Sequence, residues 1–185
     1  MLKHNVYGNT EGIRDATLAR LDSLYSFEPE EEKFLPRSLM KELAELSCAL
    51  NREIALYMTR DGEVVNVAVG TDCDVELTDF RLRRNTNRLS CVRCIHTHPD
   101  GDGHLSDVDL SALRIFRYDA MTAVGVKDGE PVIVQTAFLG EDGEPFLTPA
   151  VRWYKVPNLD WLAQITESDR LVGREETEKL DGGRE

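Results

Sequence analysis

The sequence has no apolar run approaching the roughly 20 residues that a membrane-spanning helix needs, and Met1-Leu2-Lys3-His4-Asn5 is too polar to begin a signal peptide. A soluble, cytoplasmic chain is expected. Basic residues are scarce: 22 Lys and Arg face 34 Asp and Glu, a net charge of -12, which argues against nonspecific nucleic-acid binding by the domain as a whole. Cysteines number only four, Cys48, Cys73, Cys91 and Cys94, which makes no disulfide framework in 185 residues. No Gly-Lys pair occurs, so the chain carries no P-loop. The paired H-x-E and P-C-x-x-C of zinc-dependent base deaminases are missing too.

What is present suits one domain with a real core, over residues 1–166, followed by a charged tail over 167–185 that ends near Gly182-Gly183. Ile13, Leu18, Leu21, Leu24 and Tyr25 recur at helical spacing. Glu28-Pro29-Glu30-Glu31-Glu32 reads as a solvated linker, and Pro36 suits the first turn of a second helix through Leu39, Leu43, Leu46 and Leu50 that delivers the chain to Glu53. Ile54 to Met58 and Val64 to Val69, with Asp61-Gly62 between, form a hairpin whose first strand begins at Glu53. Ala120 to Val126 and Pro131 to Phe138, joined at Asp128-Gly129, are two further strands, and Trp153, Tyr154, Leu159, Trp161 and Leu162 are expected to pack back on the domain.

The stretch with chemistry in it is His96-Thr97-His98-Pro99. Ser90 to His98 reads as a strand entering the core, and alternation along it points His96 and His98 one way and Thr97 the other. Pro99 ends the ladder. After a polar loop, Ser106 is a natural N-cap for a helix carrying Leu110, Leu113 and Phe116, with Asp109 in its first turn. Two same-face imidazoles and a carboxylate offer three ligands and leave one position open, the pattern of a catalytic zinc.

Simpler assignments compete. Ser106 and Asp109 together also make a capping box. A Ser106/His98/Asp109 triad is conceivable, but it leaves His96 without a purpose. Gly101-Asp102-Gly103-His104-Leu105-Ser106 lacks the third glycine of a dinucleotide fingerprint, and as a calcium loop it has Leu105 where glycine is required. Cys91 and Cys94 form a CxxC, yet on a strand they fall on opposite faces, so core packing is favoured over redox chemistry. Cys94 shares the histidine face and is placed to floor the site or, less simply, to join the metal.

His96-x-His98-Pro99, six residues, Ser106, two residues, Asp109 resembles the signature of JAMM (JAB/MPN) zinc metallopeptidases, and Glu53 fits the place of that family's upstream glutamate. The resemblance implies an α+β fold, a mixed β-sheet flanked by helices of the JAB/MPN, cytidine-deaminase-like kind. It further implies zinc on His96, His98 and Asp109, Glu53 as general base, Ser106 assisting the oxyanion, and a peptide or isopeptide substrate. Gly8-Asn9-Thr10-Glu11-Gly12-Ile13, Asn51-Arg52-Glu53, Arg93-Cys94-Ile95-His96-Thr97-His98 and Tyr118-Asp119-Ala120-Met121 resemble the amino-terminal extension of HflX-type ribosome-associated GTPases, which covers almost the whole chain. That resemblance implies a module preceding a GTPase, either hydrolytic or a noncatalytic regulatory or ribosome-docking domain.

One segment departs from the acidic balance. Between Arg81 and Arg93 there are Arg81, Arg83, Arg84, Arg88 and Arg93 and no acid. The run is either a solvated loop balancing nearby carboxylates or a grip on an anionic partner such as rRNA.

Overall fold

The computed structural model describes residues 5–28, 34–80, 89–140 and 142–155. Among these the fold is α+β, with three α-helices and one mixed sheet. The strands are β1 (Val6–Gly8), β2 (Ile54–Thr59), β3 (Val64–Val69), β4 (Val92–His98), β5 (Ala120–Lys127), β6 (Glu130–Leu139), β7 (Pro145–Leu147) and β8 (Val151–Arg152). They are ordered β1-β3-β2-β4-β5-β6-β7, and β8 also pairs with β6. β4 lies at the middle, antiparallel to β2 and parallel to β5. Buried on both faces, β4 has no polar-out alternation, as expected of a central strand.

The helices are α1 (Asp15–Ser23), α2 (Arg37–Leu50) and α3 (Asp107–Phe116). α1 ends earlier than its apolar spacing suggests, because Leu24–Ser26 tighten into a 3-10 turn. Pro36 stands just before the first helical residue of α2 rather than within its first turn. α2 closes at Asn51 in the left-handed conformation, and the first strand of the hairpin then begins at Ile54, one residue beyond Glu53.

Two cores lie on opposite faces of the sheet. Leu39, Met40 and Leu43 of α2 pack with Ile54, Leu56, Met58, Ile95 and Val124. Ala112 and Leu113 of α3 pack with Ala55, Tyr57, Cys94, Met121 and Ala137 on the other face. Neighbouring residues on β2 and on β4 divide between the two cores as strand alternation requires. The second face is also covered by residues 71–80, an irregular stretch pinned at Thr78: Thr78 N–H donates to Tyr57 Oη at 3.0 Å, and Tyr118 Oη–H donates to the Thr78 carbonyl.

Several expectations are corrected. Arg93 is not part of an exposed basic surface: it is 2% exposed on β4, 5.3 Å over the Phe34 ring, and burial lowers its pKa to about 10 against the raising influence of Asp119. Arg81, Arg83, Arg84 and Arg88 lie outside the described residues, as do the Pro29 to Glu32 part of the linker, Leu159, Trp161, Leu162 and the tail. Trp153 does pack against the α2-side core, but Tyr154 is 62% exposed. Cys91 precedes β4 and is exposed with positive φ, so only Cys94 of the CxxC is a core residue. Among the described residues no helix is long and apolar enough to cross a membrane.

Candidate metal centre

The site forms where β2 begins and β4 ends. The antiparallel register pairs Ala55 with His96, and two residues further along each strand Glu53 comes opposite His98. Glu53 shares the face of Ala55 and Tyr57, the one covered by α3, so alternation brings it to the side where His96 and His98 stand. Its Oε1 is 4.0 Å from His98 Nε2, and the residue is 8% exposed. Residues 45 apart in the chain thus meet through strand pairing.

His96 is 1% exposed, and both of its ring nitrogens lack a hydrogen-bond partner. A buried imidazole of this kind is costly unless something else engages it. Its Nε2 faces Asp109 Oδ1 at 3.4 Å, and its ring centroid is 4.8 Å from that of His98. One ligand atom from each of His96, His98 and Asp109 lies within 4.8 Å of the others, so the three can hold a metal ion. Cys94 is fully buried beneath this group and is not a member of it. It floors the site.

Capping and ligation turn out to be compatible uses of one carboxylate. Asp109 Oδ2 accepts from Ser106 N–H at 2.8 Å and from the Ser106 hydroxyl at 2.7 Å, while the Ser106 hydroxyl accepts from Asp109 N–H at 3.2 Å. This is a complete capping box for α3, and it leaves Oδ1 turned to His96. The Ser106 hydroxyl is engaged by Asp109 in both directions, so as placed it orients the Asp109 carboxylate. It would reach an oxyanion only after releasing that bond, and it is not arranged as the nucleophile of a triad with His98.

The loop after β4 aims His98. The Asp102 carbonyl is 2.6 Å from His98 Nδ1, which leaves Nε2 free for the site. The loop rests on one of its own two glycines and on a strand glycine that the sequence did not single out: a Cβ at Gly103 would come within 2.1 Å of the Ile133 carbonyl oxygen, and one at Gly125, the strand partner of His98, within 2.3 Å of that of Gly101. Gly125→Ala should therefore lift the loop, break the Asp102–His98 contact and weaken metal affinity by about 10–100-fold, the range for lost outer-shell partners. Titration of the variant with a divalent metal checks this, and unchanged affinity would show that the loop does not orient His98.

The electrostatics separate the two histidines. Burial alone would lower the His96 pKa, but the Asp109 carboxylate and the Cys94 thiol beside the ring raise it to about 10. Burial would raise Asp109, yet His96 and Ser106 hold it well below the usual carboxylate range. His98 is lowered, by burial and then by the charge on His96. Glu53 is pushed up to about 7, mainly by burial, against the opposing pull of His96 and with Asp109, Asp74 and Asp100 adding to the rise. At pH 7, then, His96 carries a proton that a metal must displace, whereas His98 does not. Metal binding at pH 7 should release about one proton or slightly more per chain, and apparent affinity should climb with pH until about 10. Calorimetry in buffers of different ionisation enthalpy measures the release; zero release would mean that His96 is already neutral.

Comparison with the profiles of known families, with curated proteins and with solved structures finds no match to this chain.

Proposed function

We propose that this chain is a zinc-dependent peptidase or isopeptidase module of JAMM type, with the JAB/MPN arrangement of sheet and helices, and that it is the amino-terminal domain of an HflX-like GTPase. The observation that carries the hydrolytic reading is His96: a buried ring without hydrogen bonds, set between His98 and the free oxygen of Asp109, with Glu53 alongside. Two ligands on a tetrahedral ion at about 2.0–2.1 Å are about 3.3 Å apart. The 3.4 Å between His96 Nε2 and Asp109 Oδ1 fits that spacing. Two nitrogens and one carboxylate oxygen are a donor set that zinc accepts, and three protein ligands leave a position for substrate or water.

Zinc, when bound, supplies a Lewis acid that polarises an amide carbonyl and lowers the pKa of a water. The chain's own residues do the rest. Glu53 stands across from His98 and, with a pKa near 7, is suited to take a proton from the attacking water and return it to the leaving amine. Ser106 holds Asp109 in its ligating orientation, and the Asp102 carbonyl does the same for His98. Burial of Glu53 and His96 keeps water from competing for these groups.

The test is to load the purified protein with zinc, confirm its content by elemental analysis, and incubate it with a peptide library and with lysine-linked isopeptides under mass-spectrometric detection. Cleavage that a chelator abolishes and zinc restores is the expected result. Zinc absent even after incubation would remove the metal assignment and leave Ser106 and Asp109 as a helix cap.

A further inference from the structure

Thr97 stands between the two histidines but faces the opposite core, where its hydroxyl has no business with a metal. It is fully buried, as is Ser47 on α2, 50 residues away. Four groups join there in a single directed chain. Ile54 N–H donates to Thr97 Oγ1 at 3.0 Å, the Thr97 hydroxyl donates to Ser47 Oγ at 2.9 Å, and the Ser47 hydroxyl donates to the Arg52 carbonyl at 2.7 Å. Each hydroxyl gives one hydrogen and receives one, so the chain runs in one sense only.

The chain starts on the residue after Glu53 and ends on the residue before it. The peptide units on either side of Glu53 are thereby tied to the strand that bears His96 and His98. From the other flank, Glu53 N–H donates to the Thr71 carbonyl at 2.6 Å and Gly70 N–H to the Glu53 carbonyl at 2.9 Å. Ordinary packing does not require this arrangement. Ser47 occupies the buried stripe of α2 that includes Met40, Leu43 and Ala44, where alanine would be the better helix former and would place no polar atom in the core.

We infer that Thr97 and Ser47 are positioning residues for the reaction: their paired hydroxyls clamp the Arg52–Glu53–Ile54 backbone and so set the reach of the Glu53 carboxylate to the metal. This inference rests on the hydrolytic metal centre proposed above. It assigns the middle residue of His96-Thr97-His98 a role on the face away from the site, and it makes the end of α2 part of the catalytic frame.

Cobalt(II) is the probe, because its visible absorption band responds to groups that contact its ligand sphere. Glu53→Gln should displace the band of the cobalt-loaded protein. Thr97→Val, which keeps the shape and loses the hydroxyl, should displace it in the same direction, and Thr97→Ser should restore the wild-type band. Combined with Glu53→Gln, Thr97→Val should add nothing, and its cobalt affinity should stay within a few-fold of wild type. Ser47→Ala serves as the second variant, since alanine suits the helix even if Thr97→Val does not fold, and it should move the band as Thr97→Val does. A displacement that persists in full in the Glu53→Gln background, or a large loss of cobalt affinity, would mean that the hydroxyls serve the histidines or the core, and would overturn the clamp alone. A band indifferent to Glu53→Gln would take Glu53 out of the ion's surroundings and overturn the clamp, whereas a wild-type protein that takes up no cobalt would overturn the metal reading and the clamp with it.

Discussion

His96→Ala is expected to abolish stoichiometric zinc binding, taking the protein from about one zinc per chain to none on elemental analysis. The loss should exceed the 10–100-fold typical of outer-shell changes, because a ligand itself is removed and Asp109 loses the group opposite its free oxygen. The substitution should also change how the zinc-free protein melts with pH. A histidine whose folded pKa is raised to about 10 from an ordinary 6.5 contributes stability that is complete below about pH 6.5 and fades as pH rises through 10. Asp109, held low, contributes stability above the ordinary carboxylate range that is lost in acid. The melting difference between wild type and His96→Ala should thus be largest between about pH 5 and 6.5 and shrink toward pH 10. Zinc retained at full stoichiometry by the variant would refute the ligand assignment.

Glu53→Gln is the second large effect, opposite in character. The amide has the size and shape of the carboxylate but cannot take a proton, so zinc content and melting should stay near wild type while chelator-sensitive turnover falls by about 10²–10⁴-fold. Glu53 is already half titrated near pH 7 before a cation arrives, owing chiefly to its burial, and a bound cation would favour its ionised form. Turnover should accordingly rise with pH through the acid limb of its profile in wild type and lose that limb in the variant. A variant with full turnover would make Glu53 an ordinary buried acid.

How much of this was legible in the residues depends on the range of the interaction. The two-residue alternation of β4 and the three-residue reach of Ser106 to Asp109 are local periods, and both stand where the sequence places them. The bounds of the hairpin and of β5 and β6 follow from turn chemistry: Asp128 and Gly129 both take positive φ between their strands. Glu53 was placed by resemblance to a family and by its position before a strand; the register that sets it opposite His98 is invisible in one dimension. The Thr97–Ser47 pair and the Gly125 seat were not legible at all, since each depends on elements brought together from distant parts of the chain, while Arg93 belongs in sequence both to a strand entering the core and to the end of a basic run, and only the fold decides for burial. Arg93 is the sharpest case. It ends an arginine-rich run in sequence, yet it lies within a central strand, where its guanidinium is spent on Phe34 and the neighbourhood of Asp119.

The divided carboxylate of Asp109 bears on the order in which the molecule is put together. Its Oδ2 is occupied by the first turn of α3, and so its rotamer is chosen when the helix forms. An ion arriving later meets a ligand already aimed, and little side-chain freedom remains to be lost on binding. In small zinc domains the metal is a strut, without which the chain does not fold. Here the residues of the two packed cores lie outside the proposed ligand set and the helix cap uses the other oxygen of Asp109, so the cation would be a tenant of a finished building, free to be exchanged without the walls moving.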